Sequence, residues 1–364
     1  MSKLTPMINA NSSLRIDLIR FPLIIFVVFI HAYKSKIAFS GGGVQLGIVD
    51  TNFTVNFIRD LISGVFAQLA VPIFFLLSGY LFFTGFNWSF NNYLIKLRKR
   101  VKTLLIPFLF WSFAIVAIYA IVQAIPATKI FLSGESPTIA NFGFFDYLNE
   151  LLGYMRPQLA FQFWFIRDLI ILALISPIIN IIARYPILLL PFAYCWFINF
   201  GPIILPESTS IFFFSIGAYI AKSKKDLFFL DSYGLISIII YLILSIIDAI
   251  NIEQMHNAYL HNTATLFGIL AFFYISKLIA NYEPIKRILL QLSRTSFFVF
   301  CIHEPTLTII RKVLYKQFPP DSQYDILLLY FLIPAVTIAL SISIFYILLN
   351  FFPRFLGLIT GDRY

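Results

Sequence analysis

The stretch RIDLIRFPLIIFVVFIHAY, Arg15 to Tyr33, is an apolar run of membrane length that nonetheless carries Asp17, Arg20 and His31. Read as a helix at about 100° per residue, the eleven steps from Arg20 to His31 return to within roughly 20° of one direction, with Asp17 about 40° to the other side. The three ionisable groups therefore share a face. The rise from Arg20 to His31 is about 16 Å, which leaves the guanidinium near one membrane surface and carries the imidazole into the hydrocarbon layer. A titratable group at that depth is a functional candidate in its own right.

Composition gives an independent reason to place the chain in a membrane. Of its 364 residues 60% are hydrophobic and 12% charged, with a mean hydropathy of +0.87, too little polar surface to coat a soluble globule. The expected fold is all-α, a polytopic integral membrane helix bundle. Apolar stretches can be drawn at approximately 18–38, 64–84, 103–125, 162–183, 187–204, 209–221, 233–250, 259–280, 295–314 and 326–352, so about ten transmembrane helices are expected. Pro191, Pro202 and Pro206 point to a kinked or partly spanning hairpin over residues 187–221. The first run lacks a small-residue cleavage site before the polar stretch Gly41 to Gly43 and reads as a retained span.

Placing both termini in the cytoplasm puts 18 of the 27 Lys and Arg residues inside, among them Arg98, Lys99, Arg100 and Lys102 of the KLRKRVK cluster. The net charge of +10 is then accounted for by topology and anionic lipid headgroups, and no nucleic-acid partner is expected. Cys195 and Cys301 both fall in drawn spans, which argues against a disulfide framework, and no Cys/His cluster has metal-ligand spacing. The longest polar interval, about Pro126 to Phe161, contains SGESPT and the apolar piece FFDYLNELLGY, and reads as an outer loop with a short surface helix able to cap a cavity.

Further charges fall inside spans. Arg167 and Asp168 lie in QFWFIRDLI, and His303 and Glu304 in FCIHEPT. Facing lipid, an Asp, Lys or Arg at a helix centre costs about 2.5–3.5 kcal/mol, so these groups should face a polar interior shared by the first, fourth and ninth spans. The alternative is structural pairing, Arg167 with Asp168 or a neighbour, and Arg20 with Asp17 at the membrane surface. An isolated buried histidine is likewise often a hydrogen-bonded core residue.

Five segments together resemble the membrane-bound acyltransferase family 3. They are R-x-D-x-x-R with a histidine eleven residues on (Arg15, Asp17, Arg20, His31); VPIFFLLSGYLF with Pro72, Phe75, Ser78 and Gly79; RKRVKTLLIPFLFW; FWFIRDL; and SFFVFCIHEP. The resemblance implies a bacterial inner-membrane enzyme, multi-pass, that moves an acyl group, most often acetyl from acetyl-CoA, to a sugar hydroxyl of a lipopolysaccharide O-antigen, an exopolysaccharide or another lipid-linked or surface glycan. Acetyl-CoA would be a co-substrate, with no permanently bound cofactor. It also implies a stand-alone type, with residues 1–355 as the transmembrane domain, 356–364 a short cytoplasmic tail, and no fused extracytoplasmic domain.

Within that frame His31 is the catalytic candidate, as general base toward the sugar hydroxyl or as a nucleophile that briefly carries the acyl group, with Asp17 or Glu304 as modulators and Arg20 beside them. Arg20, Arg98, Lys99, Arg100 and Lys102 are candidates for the phosphates of acyl-CoA, although cytoplasmic loops are basic whatever they bind. Arg167 is a candidate for stabilising a developing oxyanion, with Trp164, Asp168, His303 and Glu304 as further acceptor or transition-state contacts. Trp164 reads first as an interfacial anchor and second as an aromatic wall for a sugar. No G-x-S-x-G context surrounds Ser78, so Ser78 and Gly79 read as a packing motif, with Pro72 bending the span. Succinyl transfer to an exopolysaccharide and a polysaccharide flippase or transporter remain as alternatives; the latter would call for inverted repeats or paired broken helices, which the sequence does not display.

Overall fold

A computed structural model of the chain describes residues 9–33, 52–85, 88–129, 137–154, 156–199, 206–252 and 257–363. Lys3, Gly41 to Gly43, Pro202 and Ser133 to Ser136 of the SGESPT stretch lie outside the described residues. The described residues form helices and turns, with no strand among them. Helix α1 is Ala10–Ala32. It starts at Asn9, whose side-chain oxygen accepts the Ser12 N–H at 2.7 Å and so meets one of the orphan donors of the first turn. Helix α2 runs Phe53–Phe83 and α3 Phe90–Ala124. Both contain a wider π-type stretch, Asp60–Phe66 and Val101–Leu105, upstream of Pro72 and Pro107, which lack a main-chain N–H.

The remaining helices of seven residues or more are α4 (Phe144–Leu152), α5 (Trp164–Leu174), α6 (Ser176–Ile182), α7 (Leu189–Phe197), α8 (Ser208–Lys222), α9 (Gly234–Ile250), α10 (Asn257–Ala280), α11 (Glu283–Ser293), α12 (Ser296–Gln317), α13 (Gln323–Phe351) and α14 (Pro353–Thr360). Among the described residues five helical stretches are long and apolar enough to cross a membrane, six if the pair bent by 75° between Phe161–Leu174 and Ser176–Ile182 counts as one span. The sequence reading drew ten. The difference has physical causes: α1 carries Arg15, Asp17 and Arg20, α12 carries Glu304, Arg311, Lys312 and Lys316, and α7 and α8 are nine and fifteen residues long.

The chain divides into two compact units. The first comprises Met1–Val27, Asp60–Val101 and Asp168–Ser296. Its tightest packing is the crossing of α2 and α8, where a Cβ on Gly79 would collide with the Phe214 carbonyl and one on Gly217 with the Leu76 carbonyl. Only glycine lets the two backbones approach so closely. In α1, Arg15 is 3% exposed. It donates to both carboxylate oxygens of Asp231 at 2.6 and 2.9 Å, to Ser276 Oγ at 3.0 Å and to the Phe273 carbonyl at 2.7 Å, with its guanidinium 3.6 Å from the centre of the Phe228 ring. A buried guanidinium is tolerated only with such a full set of partners. The hairpin of α9 and α10 is tied at the end where the two helices are connected by buried Asp248, which accepts from Asn257 Nδ2 at 2.7 Å and meets His261 Nδ1 at 2.8 Å.

Asp168, fully buried, holds the start of α8, accepting from Ser210 Oγ and the Glu207 N–H at 2.8 Å each. Asp168→Ala should therefore lower stability by about 1–3 kcal/mol, the usual cost of stranding buried donors. Thermal unfolding of the purified protein checks this, with Asp168→Asn expected to recover part of the loss.

The second unit comprises Val28–Arg59, Lys102–Arg167 and Phe297–Tyr364. Phe298, Phe345, Leu356 and Ile359 form a buried cluster there with Phe110 and Trp111 against it, and Trp111 Nε1 donates to the Ile359 carbonyl at 2.9 Å. Leu356 and Ile359 are 0% and 1% exposed, and burial of their apolar surface docks α14 into the core of this unit.

Candidate functional site

The last turn of α1 carries His31 into the second unit, half-buried. Its ring lies 5.3 Å, centre to centre, from that of His303 in a stacked arrangement, and 5.0 Å from Phe161, edge-on. His303 has no exposed surface. Its Nδ1 is 2.6 Å from the Phe300 carbonyl. A carbonyl can only accept, so this contact places the proton on Nδ1 and leaves Nε2 as an acceptor without a hydrogen-bond partner among the described residues.

Local sequence explains how these groups are held. Glu304 precedes Pro305, and a residue before proline is driven out of the helical region; its φ and ψ of −111° and 133° interrupt α12. The Glu304 carbonyl turned out by that break is met by Gln162 Nε2 at 2.9 Å. Gln162 belongs to the short turn Phe161–Phe163 that leads into α5 and presents Phe161 to His31. The loop before it is folded on Glu150, 1% exposed, which accepts the Leu159 N–H at 2.7 Å and pairs with Arg156 at 2.6 Å. Gly153 ends α4 at φ +65°, a conformation that L side chains rarely adopt. One residue earlier, the Leu152 carbonyl receives Arg167 Nη1 at 2.8 Å. Trp164, half-buried, packs edge-on with Phe165 at 6.4 Å.

Thus His31, His303, Glu304, Trp164 and Arg167 all belong to the second unit, and His31 and His303 are in contact. Asp17 and Arg20 pair with each other at 2.8 Å, both partly exposed, within the first unit; the surface pair weighed from the sequence is the one observed. The carboxylate of Asp168 is engaged by α8, as described. In α3, Arg98 and Lys99 are exposed, Arg100 lies over the Phe82 ring at 5.4 Å, and Lys102 pairs with Asp362 at 2.6 Å. Pro72, Phe75 and Gly79 are buried in α2 and Ser78 is half-buried. Among the described residues no cluster of His, Cys, Asp and Glu has the arrangement to hold a metal ion.

Two arginines went unweighed in the sequence. Arg59 and Arg311 are 5% and 6% exposed. Arg311 Nη2 donates to the main-chain carbonyl of His31 at 2.6 Å, and Arg59 Nη2 to that of Tyr33. Both thereby meet the negative end of the α1 dipole. Arg311 was visible inside the ninth drawn span; Arg59 stood just before the second and gave no signal.

Two comparisons bear on identity. Residues 13–347 match the model of the acyltransferase domain of family 3. Over 366 aligned residues the chain is 26% identical to the succinoglycan biosynthesis protein ExoH of Rhizobium meliloti (strain 1021), covering 98% of this chain and 94% of that protein. No solved structure gives a significant match. A match spanning nearly the whole chain, over the helices that carry His31, Arg167 and His303, places it in the acyltransferase 3 family of acyl-transferring enzymes.

Proposed function

We propose that this chain is a multi-pass enzyme of the bacterial inner membrane that moves an acyl group from cytoplasmic acyl-CoA to a hydroxyl of a surface or exported polysaccharide, with both termini in the cytoplasm and His31 as the catalytic group. The setting of His31 supports the reading best: a half-buried imidazole at the end of an apolar helix, stacked on a fully buried second imidazole. In the base route the imidazole takes the sugar hydroxyl proton as its oxygen attacks the thioester carbon; the C–O bond forms, the C–S bond breaks and CoA thiolate leaves. In the carrier route the imidazole nitrogen attacks the thioester carbon, the C–N bond forms as the C–S bond breaks and CoA thiolate leaves, and the sugar oxygen then displaces the imidazole, which takes up the hydroxyl proton as its C–N bond breaks. Acetyl is the acyl unit the family resemblance implies. Succinyl is the second reading, favoured by buried Arg311 and Arg59 at the His31 and Tyr33 carbonyls and by the likeness to a succinoglycan biosynthesis protein.

Membranes with and without the chain, given labelled acetyl-CoA or succinyl-CoA and total lipid-linked glycan, test it. Base-labile label in carbohydrate that requires the chain is expected; no label above the chain-free membranes from either donor would overturn the proposal. The exposed cations of α3 are proposed to meet the CoA phosphates. Arg98→Gln combined with Lys99→Gln should accordingly raise KM for acyl-CoA several-fold, and by more than it lowers kcat.

A further inference from the structure

The His31 ring is flanked by two walls from segments far apart in the chain, Phe161 edge-on at 5.0 Å and His303 stacked at 5.3 Å. Apolar packing brings those segments together, with Phe163 and Phe165 against Phe300 at 5.8 and 5.9 Å between ring centres. The hydrophobic attraction behind such packing has no direction of its own. A directional contact crosses the same seam. Gln162, 2% exposed, donates through Nε2 to the main-chain carbonyl of Glu304 at 2.9 Å. Gln162 adjoins Phe161 in sequence and Glu304 adjoins His303, so this bond ties the two walls of His31 to each other.

The side chain is spent on that bond. A carbonyl can only accept, so the Gln162 amide must turn its nitrogen toward Glu304, and its Oε1 is left buried without a hydrogen-bond partner among the described residues. Leaving a buried acceptor unmet is unfavourable, and a methionine would fill nearly the same volume without that cost. What the amide supplies and an apolar side chain cannot is a fixed direction.

We infer that Gln162 is a positioning residue for His31: by clasping the Glu304 carbonyl it sets the spacing of the Phe161 and His303 rings, and so the direction in which the His31 ring nitrogen meets the reacting group. The inference rests on the acyl-transfer reading above. A misplacement of about 1 Å costs about 10²-fold in rate, so loss of the clasp should act on kcat and leave KM nearly unchanged.

The full-length protein in lipid nanodiscs is given labelled acetyl-CoA or succinyl-CoA with total lipid-linked glycan, and compared with two variants. Gln162→Met fills the space without a donor. Gln162→Glu keeps an oxygen at Oε1 and puts an acceptor where the donor stood. A second readout needs no substrate: the rate at which diethyl pyrocarbonate modifies His31, read residue by residue by mass spectrometry with His261 as internal standard. The expected result is a kcat at least tenfold lower in both variants, KM for donor and glycan within twofold of wild type, and His31 modified at least threefold faster. In a His31→Ala background Gln162→Met should lower transfer no further, since both changes then act on one group.

Transfer and His31 modification within twofold of wild type in both variants would overturn the clasp. So would activity kept in Gln162→Glu and lost in Gln162→Met, which would make the open oxygen the working atom, or an undiminished effect of Gln162→Met in the His31→Ala background, which would make its role merely structural. If Gln162→Met does not accumulate, Phe161→Leu removes one wall at a ring that is 40% exposed; it should reproduce the loss of kcat and the faster modification, and an unchanged kcat would overturn the proposal. Faster modification of His31 in the Gln162 variants of a protein whose His31→Ala form transfers as well as wild type would support the clasp and sink the catalytic reading of His31 alone.

Discussion

His31→Ala is expected to lower acyl transfer to glycan by about 10²–10⁴-fold, the range that a positioned acid–base group contributes. The protein should still accumulate and fold, because Arg311 holds the main-chain carbonyl of residue 31 and not its ring, and because the ring is half-buried. Comparing variant and wild type at equal membrane content therefore reads chemistry. Rapid acid quenching after labelled acyl-CoA is added without glycan then separates the two routes. Label on wild-type protein that is absent from His31→Ala identifies an acyl carrier. Unlabelled wild-type protein that still transfers identifies a base. Transfer by His31→Ala within threefold of wild type would remove His31 from the reaction, and His303, whose Nε2 is its free acceptor position, would be examined next.

The second large effect is expected at the crossing of α2 and α8. Gly79→Ala puts a methyl group into the Phe214 carbonyl, and Gly217→Ala puts one into the Leu76 carbonyl and the Tyr80 amide. The colliding atoms are main chain, so a side-chain rotation cannot relieve them and the helices must separate. Overpacking of this kind costs about 1–3 kcal/mol, and the loss spreads over the apolar contacts that depend on the same approach, Phe82 and Phe83 against Phe214 included. Melting of the purified protein should show a fall of several degrees in each variant, and Gly79→Leu should fail to accumulate. The double alanine variant should fall by less than the sum of the two, since both disturb one contact. A melting temperature unchanged in Gly79→Ala would show that the backbones do not meet as described.

Helical class and membrane character were legible because they depend on local pattern. Arg15 to Tyr33 reads as a helix from its own spacing, and His303 and Glu304 stand out as charge-bearing residues in an apolar run. The span count was less legible because apolarity, length and charge compete within one helix. In α12 the run from Ser296 to Gln317 is helical and buried at His303, yet Arg311, Lys312 and Lys316 keep it from being a simple apolar span. In the same run Arg311 is as anomalous as His303, a charged residue in a largely apolar stretch that the fold buries.

Family membership, the all-helical class and the candidacy of His31, Arg167 and His303 all follow from residue types and near-neighbour spacing, which any stretch of chain carries within itself. The partners do not. That His31 meets His303 across 272 positions of chain, that Asp168 caps α8 and not Arg167's helix, and that Arg59 and Arg311 converge on the end of α1 depend on which helix faces pack together. Those choices are made by the combined burial and close approach of distant segments, Gly79 against Phe214 and Phe298 against Phe345 among them, and such long-range contacts leave no periodic trace in the sequence of either partner.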